Sequence, residues 1–247
     1  MDLLNRFMVW TDTWTPGSPG TTEMKVLTRQ GESYSQSDLT GTWEANSLVS
    51  GPDAPYWIRG TFPISSDGSF SVSLEEYQDD PHQASGALII SPEGIITMVG
   101  NDTFLCAMDS EKTIIACTDT WSGSLLGSSQ IVIMTKMAES YSLEDLSGSW
   151  EMSNLATGPG APWWLRAHLE IGTDGSFSAT SVESDGTIEE FPGNLQISSS
   201  GIITLTGNPN MRGNLDSSKT IVIMTSTWDG DDSPGTTEMI VLTKISN

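Results

Sequence analysis

An internal repeat of 107 residues constrains this chain more than any other feature. "YSQSDLTGTWEANSLVSGPDAPYWIRG", from Tyr34, realigns on "YSLEDLSGSWEMSNLATGPGAPWWLRA", from Tyr141, at a constant offset of 107. The same offset carries Asp67–Phe70 onto Asp174–Phe177, Gly94–Thr97 onto Gly201–Thr204, Lys112–Ile114 onto Lys219–Ile221, and Trp121 onto Trp228. Run backwards it lays Trp14 on Trp121 and Thr28 on Thr135, so "SPGTTEMKVLT" near the start and "SPGTTEMIVLT" near the end are copies of one segment. Self-similarity at a fixed period sets the architecture before any strand is assigned. Residues 1–29 are a truncated repeat, the C-terminal hairpin of a unit; 30–137 form a first full unit and 138–247 a second.

Within the first full unit, eight short extended segments stand between turn residues, at roughly 41–48, 55–64, 69–77, 85–91, 94–100, 103–109, 112–121 and 129–137. "SSDG", "SPEG" and "DSEK" make tight connections of the Gly, Asp and Ser type that closes hairpins. "SLVSGPDAP", "YQDDPHQAS" and "WSGSLLGSS" are longer and looser. Strands in simple succession, with short turns at one end and long loops at the other, predict an all-β chain of tandem antiparallel up-and-down barrels, eight strands each. The alternative is a β-propeller in which each unit supplies two four-stranded blades; the two halves of a unit do not resemble each other, which counts against it.

Charge narrows the function classes. Only 10 Lys and Arg oppose 32 Asp and Glu, a net charge of −22 that repels phosphate backbones and anionic lipid surfaces. Nucleic acid is not expected as a partner. No apolar run reaches the roughly 18 to 20 residues of a membrane-spanning helix, and "MDLLNRFMVW" lacks the layout of a signal peptide.

"LTGTWE" (Leu39–Glu44) and "LSGSWE" (Leu146–Glu151) resemble the Gly-x-Trp opening of lipocalin and calycin barrels, and avidin-type barrels begin similarly. The resemblance implies that Trp43 and Trp150 sit on the first strand at the closed end, each covered by a cation from the last strand. Those cations would be Lys136 and Lys244, with Arg29 at the same place in the truncated copy. It covers about six residues per unit and implies no particular ligand.

The remaining candidates are weighed on their chemistry. Tyr56, Trp57 and Arg59, and in the second unit Trp163, Trp164 and Arg166, follow the "GPDAP" and "GPGAP" loops. An indole shelf beside a guanidinium can grip a sugar ring or an anion; equally, one aromatic of each pair fills the core and its neighbour points outward. Asp229, Asp231 and Asp232 in "WDGDDSPG" are a weak calcium candidate, since the equivalent loops carry no acids. His82 and His168 align with Glu189 and Thr61, so neither belongs to the repeated design, and both read as surface histidines. Glu75 with Glu76, and Glu189 with Glu190, face opposite ways on a strand and do not make a glycosidase pair. Cys106 and Cys117, with a two-residue turn between their strands, fall two places out of register and read as buried thiols in preference to a disulfide.

No cofactor is implied and no enzyme is expected. The preferred expectation is a structural, adhesive or surface-display module, extracellular or at the cell surface, partnered by neighbouring repeats or by its own kind through strands. The alternative is a lipocalin-like carrier of a small apolar or carbohydrate ligand. "IVIMT" and "MIVLT", apolar on both faces, call for cover on both, and the two-strand tail is too small to be stable alone.

Overall fold

The computed structural model describes residues 1–13, 21–51, 55–77, 79–121, 127–228 and 235–246. Strands β1 (Phe7–Thr13) and β2 (Thr22–Thr28) form a two-stranded sheet. The first full unit contains β3 (Gly41–Ser50), β4 (Tyr56–Ile64), β5 (Ser69–Glu76), β6 (His82–Ile90), β7 (Ile95–Met98), β8 (Asn101–Met108), β9 (Ile114–Thr120) and β10 (Ser129–Lys136). Each pairs antiparallel with the next, and β10 pairs with β3 as well as β9, so the sheet closes. The second unit repeats this with β11 (Gly148–Thr157), β12 (Trp163–Ile171), β13 (Ser176–Glu183), β14 (Ile188–Ile197), β15 (Ile202–Leu205), β16 (Asn208–Leu215), β17 (Ile221–Thr227) and β18 (Thr237–Ser246), closed by the β18–β11 ladder. Both units are therefore closed eight-stranded antiparallel barrels. The propeller alternative fails because the last strand of each unit bonds to its own first strand, which leaves no four-stranded blade. By its contacts the chain divides into Thr28–Met137 and a second unit joining Met1–Leu27 to Ala138–Asn247.

One end of each barrel is plugged by its own entry segment. Gln36–Leu39 and Leu143–Leu146 form single 3-10 turns, in which Asp38 and Asp145 accept the Ser35 and Ser142 amides at 2.8 Å. The turns drive Leu39 and Leu146 into the core beside Trp43 and Trp150, and all four are fully buried. Each indole donates to the turn it packs under, Trp43 Nε1 to the Leu39 carbonyl at 2.8 Å and Trp150 Nε1 to the Leu146 carbonyl at 2.7 Å. Tyr34 and Tyr141 complete the plugs. Gly94 and Gly201 are required there: each has positive φ, and a Cβ would lie 2.5 Å from the tyrosine ring.

A second repeated device decides register. Asp2, Asp109 and Asp216 are three copies of one turn, each accepting two successive amides on Oδ1: Arg6 and Phe7, Thr113 and Ile114, Thr220 and Ile221. The residue three places on has positive φ in every copy, at Asn5, Lys112 and Lys219. A carboxylate that collects backbone amides in this way stabilises a turn intrinsically. The loop is therefore Ser110–Thr113, four residues instead of two, and β8 slides so that Cys106 faces Cys117 directly. The expectation of free thiols is corrected: the two are joined in a disulfide with an S–S distance of 2.09 Å, inside the core of the first barrel.

The N-terminal hairpin rests on β11 and β12 of the second barrel. Its anchor is Arg6, whose fully buried guanidinium bonds Asp2 at 2.8 Å, Asp216 at 2.7 Å and Thr220 at 2.8 Å, with Ser218 alongside. The turn aspartates of two copies are thus clasped by one cation. The Leu3 amide adds a bond to the Lys244 carbonyl at 3.0 Å.

Candidate functional site

Above its plug each barrel encloses a cavity, about 450 Å³ in the first and about 590 Å³ in the second. Alternation along closed strands puts every second side chain inside. In the second barrel these include Met152, Leu165, Phe177, Phe191, Met224 and Ile240. Met224 and Gly213 stand where the first barrel has its disulfide, and a Cβ at Gly213 would lie 1.9 Å from the Ile223 carbonyl. The cavity reaches the long-loop end, where Glu183, Asp185 and Glu189 line its mouth. Partial burial, together with Glu189 and Asp185, holds the Glu183 carboxyl above its usual range.

The acid inside the second cavity, below the rim, is Glu238 on β18, which is fully buried. Its Oε2 accepts from Asn154 Nδ2 at 2.6 Å. Burial pushes this carboxyl above the ordinary range, and the Asn154 and Trp228 side chains offset only part of that. Three buried oxygens on this wall have no hydrogen-bond partner of regular geometry among the described residues: Glu238 Oε1, Asn154 Oδ1 and the Oγ of Ser226, which is the ladder partner of Glu238.

The first cavity carries a different solution on the same strands. Gln130 stands in place of Glu238 and Ser47 in place of Asn154, with Ser47 Oγ donating to Gln130 Oε1 at 2.7 Å. The acid moves to Asp119, the counterpart of Ser226, and it is well satisfied: Thr103 donates at 2.6 Å, Asn101 at 3.1 Å and Gln130 at 3.3 Å. Arg59 also lines this cavity.

The aromatic residues singled out in the sequence separate into two faces. Trp163 faces into the second cavity, edge-on to Trp228 with ring centroids 6.5 Å apart. Trp164 and Arg166 lie on the outer wall under the hairpin, where Trp164 Nε1 donates to Thr13 Oγ1 at 2.8 Å and Arg166 Nε to Thr11 Oγ1 at 3.3 Å. In the first barrel Trp57 is stacked by Arg59 at 3.7 Å and packs against Tyr77, with Tyr56 partly buried beside it. Lys136 and Lys244 each stand 5.4 Å from the centroids of Trp43 and Trp150. Arg29 is exposed, and the cation over an indole in the hairpin is Lys25, 5.6 Å from Trp10.

His168 bridges Glu151 and Glu170 at 3.0 and 2.9 Å on the exposed outer wall, and these hydrogen bonds hold its pKa above the usual value. His82 lies 3.6 Å from Glu76 and is half-exposed. Glu75 and Glu76 are adjacent on β5, and Glu190 is exposed beside Glu189. Asp229, Asp231 and Asp232 lie outside the described residues.

Glu238 and its neighbours were not singled out from the sequence, although a signal existed. Asn154, Ser226 and Glu238 fall on the inward alternation of otherwise apolar strands, and the 107-residue offset shows their counterparts to be polar too.

No protein-family model matches the chain, and no curated protein sequence matches it. Among solved structures, a protein of unknown function of the DUF3598 family from Nostoc punctiforme is similar at a TM-score of 0.28 and 9% identity, over 86% of this chain and 100% of that one. The vaccine antigen transferrin-binding protein B from Haemophilus parasuis is similar at 0.29 and 6%, over 96% and 85% of the two chains. MucB, solved in complex with MucA, is similar at 0.22 and 8%, over 85% and 90%.

Proposed function

We propose that this chain is a non-enzymatic, lipocalin-like binding protein in which each barrel takes one small apolar molecule. The observation that carries this reading is the pair of cavities, each above a packed plug and lined mainly by apolar side chains, in the size range of small-molecule sites. The Cys106–Cys117 disulfide supports an oxidising, extracytoplasmic location. Titration with the neutral fluorophore N-phenyl-1-naphthylamine tests it. About two sites per chain are expected, one lost in Ile58→Trp and the other in Leu165→Trp, which fill equivalent places in the two cavities. Absence of binding, or binding indifferent to both fillings, overturns the reading.

A structural or adhesive role through neighbouring repeats is the second reading. It draws on the hairpin, a third copy of the β9–β10 and β17–β18 pairs that stays a separate two-stranded sheet. Concentration-dependent self-association, abolished by deleting residues 1–29, would support it; a monomer at all concentrations would remove it.

A further inference from the structure

The two cavities are built on one plan and differ where their polar groups stand, and that difference names a ligand class for the second. In the first cavity the acid is surrounded by donors and Arg59 adds a fixed positive charge. In the second the acid has Asn154 as its close donor, with Trp228 a weaker one, and its own Oε1, Asn154 Oδ1 and Ser226 Oγ lack regular partners among the described residues. A buried oxygen without a partner costs about 1 to 3 kcal/mol, more when it belongs to a charged group. An apolar wall therefore gains nothing from such a cluster unless a ligand supplies the missing donors. The cluster contains acceptors and no cation among the described lining residues. A primary ammonium is the small group that matches: it brings one positive charge and three N–H donors.

The mouth agrees with the interior. Glu183, Asp185 and Glu189 ring the entrance, on a chain of net charge −22, so the field at the opening attracts cations and repels anions. Beyond the charged group the ligand meets Met, Leu, Ile, Phe and Trp side chains. The sulfur-containing residues Met152, Met211 and Met224 adapt to an irregular apolar body.

We propose that the second barrel binds an apolar molecule carrying a primary ammonium group, the charge paired with Glu238 and the N–H donors directed to Glu238 Oε1, Asn154 Oδ1 and Ser226 Oγ. This rests on the reading of the barrels as small-molecule binders and specifies the ligand of one of them.

The test compares octylamine, octanol and octanoate by titration calorimetry at neutral pH, in about 0.3 M sodium chloride, where screening beyond about 6 Å removes most of the steering from the rim. The intact protein is expected to bind octylamine at least about tenfold more tightly than octanol in the second barrel, and octanoate least, as pairing of a buried charge requires. Glu238→Gln is expected to bring octylamine to within about twofold of octanol while octanol binding persists. Gln130 occupies this ladder position in the first barrel, so the scaffold accepts the change. Should that variant lose octanol binding as well, Asn154→Leu with Ser226→Ala decides: a drop of about threefold or more in amine preference sustains the proposal, and an unchanged preference overturns it. Equal binding of the three probes, tighter binding of octanoate, or an amine preference that survives Glu238→Gln overturns the proposal and leaves the carrier reading in place. Failure of all three probes overturns both.

Discussion

At the residue scale the most consequential side chain is Glu238, because its carboxyl is buried where a charge is costly. Its folded-state pKa is raised, so above the ordinary carboxyl value the folded protein holds a proton that the unfolded chain has released. Stability from this group is therefore lost as pH rises from that value toward the folded pKa. Replacing Glu238 with Gln is expected to raise the second barrel's denaturation midpoint at about pH 7 and to leave it unchanged near pH 4; equal midpoints at both would show that the carboxyl is well solvated. The plug residues behave differently. Lys244 lies over Trp150 and donates to the Asp145 carbonyl at 3.1 Å, and burial lowers its pKa. Lys244→Met keeps the stem and removes the charge, and is expected to destabilise by about 1 kcal/mol, measured by urea denaturation. Of these residues, the Trp was legible from a six-residue motif that occurs in both units, and the Lys from the family resemblance which that motif carries. Glu238 was hidden because an acid on a strand reads as solvated until the inward face is known.

At the scale of elements, the turn led by aspartate explains both the register of β8 on β9 and the disulfide. The residue types of "DSEK" predict a tight hairpin between β8 and β9, whereas Asp109 gathers the Thr113 and Ile114 amides and makes the loop four residues long. That shift alone brings Cys106 opposite Cys117. Their sequence separation is 11 residues, and breaking the bond in the double variant Cys106→Ser, Cys117→Ser is expected to cost about 2 to 3 kcal/mol. Calorimetry should show the first barrel's transition shifted and the second's unmoved, since the second has Gly213 and Met224 at those places. The most deeply buried anchor of the hairpin is the Arg6 clasp. Arg6→Ala leaves the buried carboxylates of Asp2 and Asp216 without their shared cation, at a cost of about 3 to 5 kcal/mol. Hydrogen exchange should then rise along β1 while the β3–β10 ladders keep their protection. Protection retained in β1 would mean that Trp164 and Arg166 hold the hairpin by themselves.

At the scale of the whole molecule, acidity is the dominant property. With 32 acids against 10 Lys and Arg, the folded chain works against its own repulsion at neutral pH. Raising ionic strength from about 0.01 M to about 0.15 M shortens the screening length from about 30 Å to about 8 Å and is expected to raise the melting temperature. A midpoint insensitive to salt would show that the acids are paired locally, as Asp38 is with Lys112 and Asp145 with Lys219, each at 2.8 to 2.9 Å. The same field makes the second cavity's entrance selective by sign before any contact is formed.

The sequence by itself determined the number of units and their strand count, and its resemblance to lipocalin barrels placed a tryptophan at a closed end of each. It could do so because these depend on patterns that repeat every two residues along a strand or every 107 along the chain, and a repeat displays its rules twice. Tertiary structure alone decided closure against the propeller, the plugs, the disulfide, the place of the hairpin and the polar wall of the second cavity. Those depend on which side chains meet across a closed sheet, and a barrel brings together residues as distant as Asn154 and Glu238 only after its last strand has bonded to its first.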